Sequence, residues 1–314
     1  MAQKAVAQYK TMSLGKRIVR DFSHNKFKYL MILPVLVYLA LFCYKPMYGI
    51  IIAFKNYKVA RGIEKSPWVG LFWFENFFKD PYFFRLLRNT FTISGLTILF
   101  GFPAPILLAL LLNEVHNNKF KRTVQTITYM PYFISLVVLC SLIKIYCQQN
   151  GLFSDIVAFF GGTKQNWLQD PRYFRLIYVL SDIWQGIGWN SIIYLAALSG
   201  IDQEQYEAAR VDGANKLQQI IHITLPALSE IIAIMLILQI GKMFDDNFDQ
   251  IFNLYSPSVY EVSDVFETYV YRNGIQQSKF SYSAAVGLVK SVLALAMIVF
   301  SNKASKKLGA QGLF

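Results

Sequence analysis

Charge is what this sequence is short of: Asp, Glu, Lys and Arg make up 16% of its 314 residues, where a soluble domain carries about 25%. So few charges cannot clothe an ordinary water-facing surface. With 54% hydrophobic residues and a mean hydropathy of +0.35, the composition is that of an integral membrane protein. Cysteine is nearly missing as well. Cys43, Cys140 and Cys147 all fall in apolar runs and form no Cys-x-x-Cys or Cys/His ligand set, which argues against a zinc module or a disulfide framework. Cys140 and Cys147 share a helical face as small apolar packers. His24, His116 and His222 have no ligand at metal spacing and read as solvated or interfacial. No Gly-x4-Gly-Lys-Ser/Thr loop is present to cradle a phosphate, and no nucleophile–base pair lies inside the apolar runs. These absences argue against an enzyme and leave the chain without a cofactor of its own.

What is present is apolar length. Lipid offers the backbone no hydrogen-bond partner, so a span must be a helix of roughly 20 mostly apolar residues. Six runs qualify, at 29–53, 87–112, 124–147, 174–199, 225–247 and 282–302, and they predict an all-α protein of six transmembrane helices. The first follows a polar basic stretch and has no small-residue cleavage site behind it, so it is expected to remain as a span rather than leave as a signal peptide. Lys and Arg crowd the segment before the first span, 119–122, 210–216 and 303–307, and thin out in the longer loops between. By the positive-inside rule both termini and the loop around 210 face the cytoplasm. The net charge of +12 therefore belongs to anionic headgroups beside the spans, not to nucleic acid.

The expected organisation is a cytoplasmic basic amino terminus at 1–28, the first span at 29–53, an extracytoplasmic aromatic loop at 54–86, a five-helix core at 87–302 and a cytoplasmic carboxyl terminus at 303–314. The aromatic loop holds Trp68, Phe72, Trp73, Phe77, Phe78 and Phe83 among others; such density at a span boundary predicts an interfacial belt or a helix lying on the bilayer. Within the core, the polar stretch 200–226 has the marks of a rigid knuckle. Asp202 with Gln205 predicts a capping box that opens a helix running to Asp212. Gly213 supplies the left-handed residue that ends it. A second helix from Asn215 is expected to turn Leu217, Ile220, Ile221 and Thr224 to one side, and Pro226 suits the first turn of the next span. The small Ala208 and Ala209 would let a partner approach the backbone, with Glu207 offering a charge; the alternative is a loop that merely covers span ends.

The order Glu207-Ala208-Ala209, three residues, Gly213, nine residues, Ile223, one residue, Leu225-Pro226 resembles the EAA loop of binding-protein-dependent ABC importer permeases at every fixed position. The likeness extends over nearly the whole chain to sugar-importer permeases of the LplB type, through 102–114, Asp182-Ile183-Trp184, 193–198 and 280–291. The segment Asp245-Asp246-Asn247-Phe248 is more acidic than that likeness would lead one to expect. The resemblance implies a type I importer fold in which the first span wraps a second, homologous permease. It also implies two ABC ATPase subunits inside the cell, which carry the ATP and Mg, and a solute-binding protein outside, in a bacterial cell membrane. Glu207, Ala208, Ala209, Gly213, Ile223, Leu225 and Pro226 would then meet the ATPase.

Polar residues at membrane depth mark a transport path, because burying them in lipid is costly. Asp182, Gln185, Gly186 and Trp189 recur at helical spacing, as do Gln239, Lys242, Met243 and Asp246; the resemblance places the matching positions of a maltose-type permease at its sugar site. Trp184 and Trp189 could stack on a sugar ring. The alternative is that Asp182, Lys242 and Asp246 pair to hold helices together. Lys144 can snorkel from a span end, and Lys290 is expected to pair within the bundle. The acidic residues near the outer mouth argue against a highly anionic sugar. An ion-coupled secondary transporter is the competing class, though no inverted pair of broken helices supports it.

Overall fold

The structure, a computed structural model, describes residue 15, residues 21–244 and residues 248–307. The described residues are helical apart from turns, loops and one isolated bridge between Lys55 and Trp68. They fall into two compact units divided between Trp68 and Val69, inside the stretch expected to form a single aromatic loop.

The first unit holds α1 (Lys26–Phe54), 29 residues long and thus roughly 43 Å at 1.5 Å per residue. Its side chains are almost all exposed, Ala53 being the buried one. After it, Lys55 Nζ donates to the Ile63 carbonyl at 2.7 Å, and Phe54 stacks on Trp68 with ring centroids 5.7 Å apart.

The second unit contains α2 (Phe72–Lys79), α3 (Tyr82–Glu114), α4 (Asn118–Tyr129), α5 (Leu136–Tyr146), α6 (Leu152–Phe159), α7 (Pro171–Leu198), α8 (Gln203–Val211), α9 (Lys216–Gly241), α10 (Phe248–Leu254), α11 (Tyr260–Ser263), α12 (Phe266–Tyr271) and α13 (Phe280–Lys307). Among the described residues, five segments are long and apolar enough to cross a membrane: α1, α3, Leu136–Phe159, α9 and Phe280–Lys303. The fourth expected span is α7, 28 residues that carry Arg172, Arg175 and Asp182 among their apolar positions.

Two expected spans are corrected. The run 124–147 is not one helix: Pro131 has no amide to donate, so α4 gives way to a tight turn at Met130–Phe133 and extended backbone at Ile134, and α5 starts afresh after Ser135. The run 225–247 overshoots, since α9 already begins at Lys216 and ends at Gly241, with Lys242 capping it.

Among the described residues four π-turns occur, at Leu39–Tyr44, Thr97–Gly101, Ile220–Thr224 and Arg272–Gln276. The first three each end two residues before a proline, Pro46, Pro103 and Pro226; the fourth has none after it. A proline ring in a regular helix strikes the carbonyl four residues earlier, and that residue lies inside the π-turn each time. The wider turn carries the carbonyl aside, and the amide before the proline bonds five residues back, as Leu225 does to Ile220.

The packing gathers in three apolar clusters. One surrounds Phe174 and Tyr178 of α7 with Leu139, Cys140 and Cys147. A second joins Phe77 of α2 to Leu86, Met243, Phe266 and Val286. A third sets Ile106 and Ala109 of α3 against Tyr194, Leu198 and Leu228. The second revises the interfacial-belt expectation for α2: Phe77 is fully buried, edge-on to Phe83, Phe266 and Tyr282, while Phe72, Phe78 and Phe84 remain exposed. Gly188 is where α4 and α7 touch, because a Cβ there would run into the backbone of Thr128.

Candidate functional site

The knuckle between α7 and α9 has the expected turn and a different cap. Asp202 accepts from the Glu204 amide at 3.0 Å; the reciprocal box sits instead on the second helix, where Asn215 and Gln218 each bond the other's amide at 2.9 and 2.8 Å. Gly213 takes φ +80°, and the Ala214 amide reaches back to the Ala209 carbonyl at 2.8 Å, closing α8 by a left-handed residue.

Only part of the expected apolar face forms. The π-turn at Ile220–Thr224 adds a residue to the helical repeat, so Thr224 turns inward to 3% exposure while Leu217 and Ile221 face outward. Glu207, Ala208, Gly213 and Pro226 are exposed, and Ala209, Ile223 and Leu225 half-buried. Ala209, Gly213, His222 and Ile223 help line a concavity of about 320 Å³. Two ties hold the knuckle: Lys216 Nζ donates to Glu114 at 2.6 Å, and Tyr206 and Thr224 share a hydroxyl hydrogen bond of 2.9 Å. Neither tie was visible in the sequence, since both join residues brought together by the chain's fold.

On α7, Asp182, Gln185 and Gly186 are half-buried and Trp189 exposed, in line along one side. Asp182 lies beside Gly101, where a Cβ would stand 3.7 Å from its carboxylate. Trp189 is stacked flat on Tyr132, centroids 4.5 Å apart and planes 3° from parallel, with Phe133 edge-on at 5.7 Å. The helix break at Pro131 delivers Tyr132 and Phe133 to this place, a consequence of that proline that the sequence reading passed over. Trp184 does not join Trp189: five residues apart, they lie about 140° around the helix, and Trp184 lines an apolar cavity of about 450 Å³ with Leu142, Phe153 and Leu180.

The second stripe is shorter than expected. Gln239 is half-buried on α9, Lys242 is exposed at its cap, and Met243 is buried in the second cluster, its carbonyl accepting from Ser94 at 2.7 Å. Asp245, Asp246 and Asn247 lie outside the described residues.

The strap at 255–279, between α10 and α13, is bound by polar contacts. Arg272 pairs with the fully buried Asp264, whose carboxylate also accepts from Thr268 at 2.6 Å. Burial alone would lower the Arg272 guanidinium, but the Asp264 carboxylate holds it above its ordinary range. Lys290 of α13 pairs with Glu267 of α12. Tyr269 and Tyr282 both donate to Asp80, at 3.1 and 2.9 Å. Asn89 of α3 donates to the carbonyls of Glu261 and Asp264, and Arg175 of α7 to Asn89 and Val262. Asp155 and Asp170 are likewise paired, with Lys164 and Arg172, so Arg172 holds the Asp170 carboxyl below the usual range. Asp155, Asp170, Asp264 and Glu267 are thus paired with cations of their own chain, which weakens the electrostatic ground for excluding an anionic sugar. Among the described residues no cluster of His, Cys, Asp or Glu could hold a metal ion.

Residues 101–307 match the family described as binding-protein-dependent transport system inner membrane component. A polygalacturonan/rhamnogalacturonan transport system permease protein, YteP of Bacillus subtilis (strain 168), is 44% identical, the match covering 95% of this chain and 94% of the relative. The protein LplB of the same organism is 42% identical over 96% of each chain. Among solved structures, a chain of a bacterial alginate ABC transporter, in complex with an alginate pentasaccharide-bound periplasmic protein, superposes with a TM-score of 0.87 at 38% identity, covering 95% of this chain and 100% of that one.

Proposed function

Because the chain belongs to the binding-protein-dependent transport system inner membrane components, we propose that it is the permease subunit of an ATP-driven importer for an oligosaccharide, moved by its knuckle. In this reading a second, homologous permease completes the pore, two ABC ATPase subunits bind ATP and Mg²⁺ and do the hydrolysis, and an extracytoplasmic solute-binding protein delivers the sugar. The chain itself is not catalytic. It lies in the bacterial cell membrane with both termini cytoplasmic, its later five spans forming the core and α1 lying along the partner permease.

The observation that carries the coupling role is the exposed end of the knuckle. Glu207, Ala208 and Gly213 stand open, and Val211 beside them is 88% exposed, a surface whose apolar part is left to another protein to cover. Closure of the ATPase pair would push this surface and tilt α7 and α9 together. The sugar would pass along Asp182, Gln185, Gly186, Trp189, Gln239, Lys242 and Asp246, where carboxylate, amide and ammonium groups bond hydroxyls and the Trp189 ring offers a stacking face. The names of the relative and of the solved transporter support an oligosaccharide as cargo class and a binding protein as partner.

The test is reconstitution of the complex in liposomes with its binding protein. Oligosaccharide should accumulate only with ATP inside the ATPase compartment, and a proton or sodium gradient should not replace it. Accumulation driven by an ion gradient in the absence of the ATPase would overturn the proposal in favour of secondary transport.

A further inference from the structure

α8 is a helix with little to hold it. None of its nine residues is buried, and its carboxyl end leads into Gly213, exposed and left-handed. A push on Glu207 or Ala208 would be absorbed by rotation about that glycine unless a side chain carried it across. Tyr206, the residue before Glu207, spans the gap: its hydroxyl lies 2.9 Å from Thr224 Oγ1.

The receiving end is as informative. Thr224 is 3% exposed and closes the π-turn at Ile220–Thr224 from which the spanning part of α9 departs. Its hydroxyl also reaches the Gln219 carbonyl at 3.4 Å, and Gln219, buried too, donates to the Ala214 carbonyl at 2.9 Å. The bond therefore enters a buried polar chain that runs from the far side of the Gly213 turn to the root of α9. The other tie, Lys216 to Glu114, fixes the second helix to α3 and leaves α8 untouched. Arg210 Nε donates to the Tyr206 carbonyl at 3.3 Å, within α8 itself.

We infer that the Tyr206–Thr224 hydrogen bond is a latch that makes the knuckle and α9 move as one, and that Tyr206 is a positioning residue for coupling although it does not form the contact surface. The inference rests on the coupling role proposed above. Its readout is the sugar accumulated per ATP hydrolysed, in proteoliposomes holding the complete complex and its binding protein. Tyr206→Phe and Thr224→Val each remove one hydroxyl with almost no change of shape. Each should lower that ratio about fivefold, the factor that one net hydrogen bond represents. The double variant should fall no further than Thr224→Val alone, because once Thr224 has lost its hydroxyl the Tyr206 hydroxyl has no latch left to break. Thr224→Ser keeps the hydroxyl and should restore the ratio. An unchanged ratio in Tyr206→Phe, additive losses in the double variant, or failure of Thr224→Ser to restore coupling would overturn the latch. Failure of the unmodified complex to take up sugar with ATP would instead tell against the importer reading.

Discussion

The knuckle at 200–226 and the strap at 255–279 are similar in length and each leads into a long apolar helix, but the knuckle's first helix, α8, is built in the opposite way to the strap. In the strap, Asp264, Phe266, Thr268 and Tyr269 are buried, and the chain's own Arg272, Asn89 and Asp80 satisfy their polar atoms. In the knuckle, α8 buries nothing, and Val211 and Leu217 stand 88% and 65% exposed. Polar groups closed on themselves make a segment stay put, whereas apolar groups left open wait for a surface. One connection is thus closed on the chain's own helices, and the other stands open in the way the coupling role proposed above requires.

The comparison predicts that equal insults have unequal results. Asp264→Ala in the strap would leave the Arg272 guanidinium buried without its carboxylate, a loss of about 3–5 kcal/mol. Thermal unfolding of the purified complex should register it as a clear drop, smaller when Arg272→Met accompanies Asp264→Leu. A melting temperature unmoved by Asp264→Ala would break the claim that the strap is self-held.

Gly213→Val insults the knuckle instead. A β-branched residue at φ +80° costs about 1–2 kcal/mol, yet no core packing depends on α8. The strain should stay local: amide exchange in α8 should quicken by about tenfold while the α12 amides exchange as before. Equal acceleration in both segments would mean that the two are not independent.

How much of this contrast the sequence could disclose follows from the range of the interactions. The knuckle's turn was legible because Gly213 and the residues around it act on their neighbours. The all-helical membrane fold was legible from apolar runs, since lipid tolerates little else. Pro131 also signalled its break, but a run of hydrophobic residues on either side made 124–147 look continuous. Three of the four π-turns follow from Pro46, Pro103 and Pro226 once the steric clash is considered, and the one before Pro226 is what turns Thr224 inward. In the candidate site, the two polar stripes could be drawn from spacing, but the helix end at Gly241 that cuts one of them, and the Tyr132 ring on Trp189, could not. The strap was opaque: Asp264 with Arg272, or Asp80 with Tyr282 more than two hundred residues on, pair only through the tertiary fold.

The smallest expected effect on stability belongs to Val211→Asp, and it separates the two regions most sharply. A residue 88% exposed and outside every buried cluster should change stability by no more than about 0.5 kcal/mol. At a contact surface the same carboxylate must be stripped of water against an apolar partner, which costs far more than it does in solvent. The variant should therefore melt with the unmodified protein and yet lose the ATPase subunits on co-purification. Retention of those subunits at the usual ratio would show that the open apolar end of the knuckle is not where they dock, however well the surrounding residues match the EAA pattern.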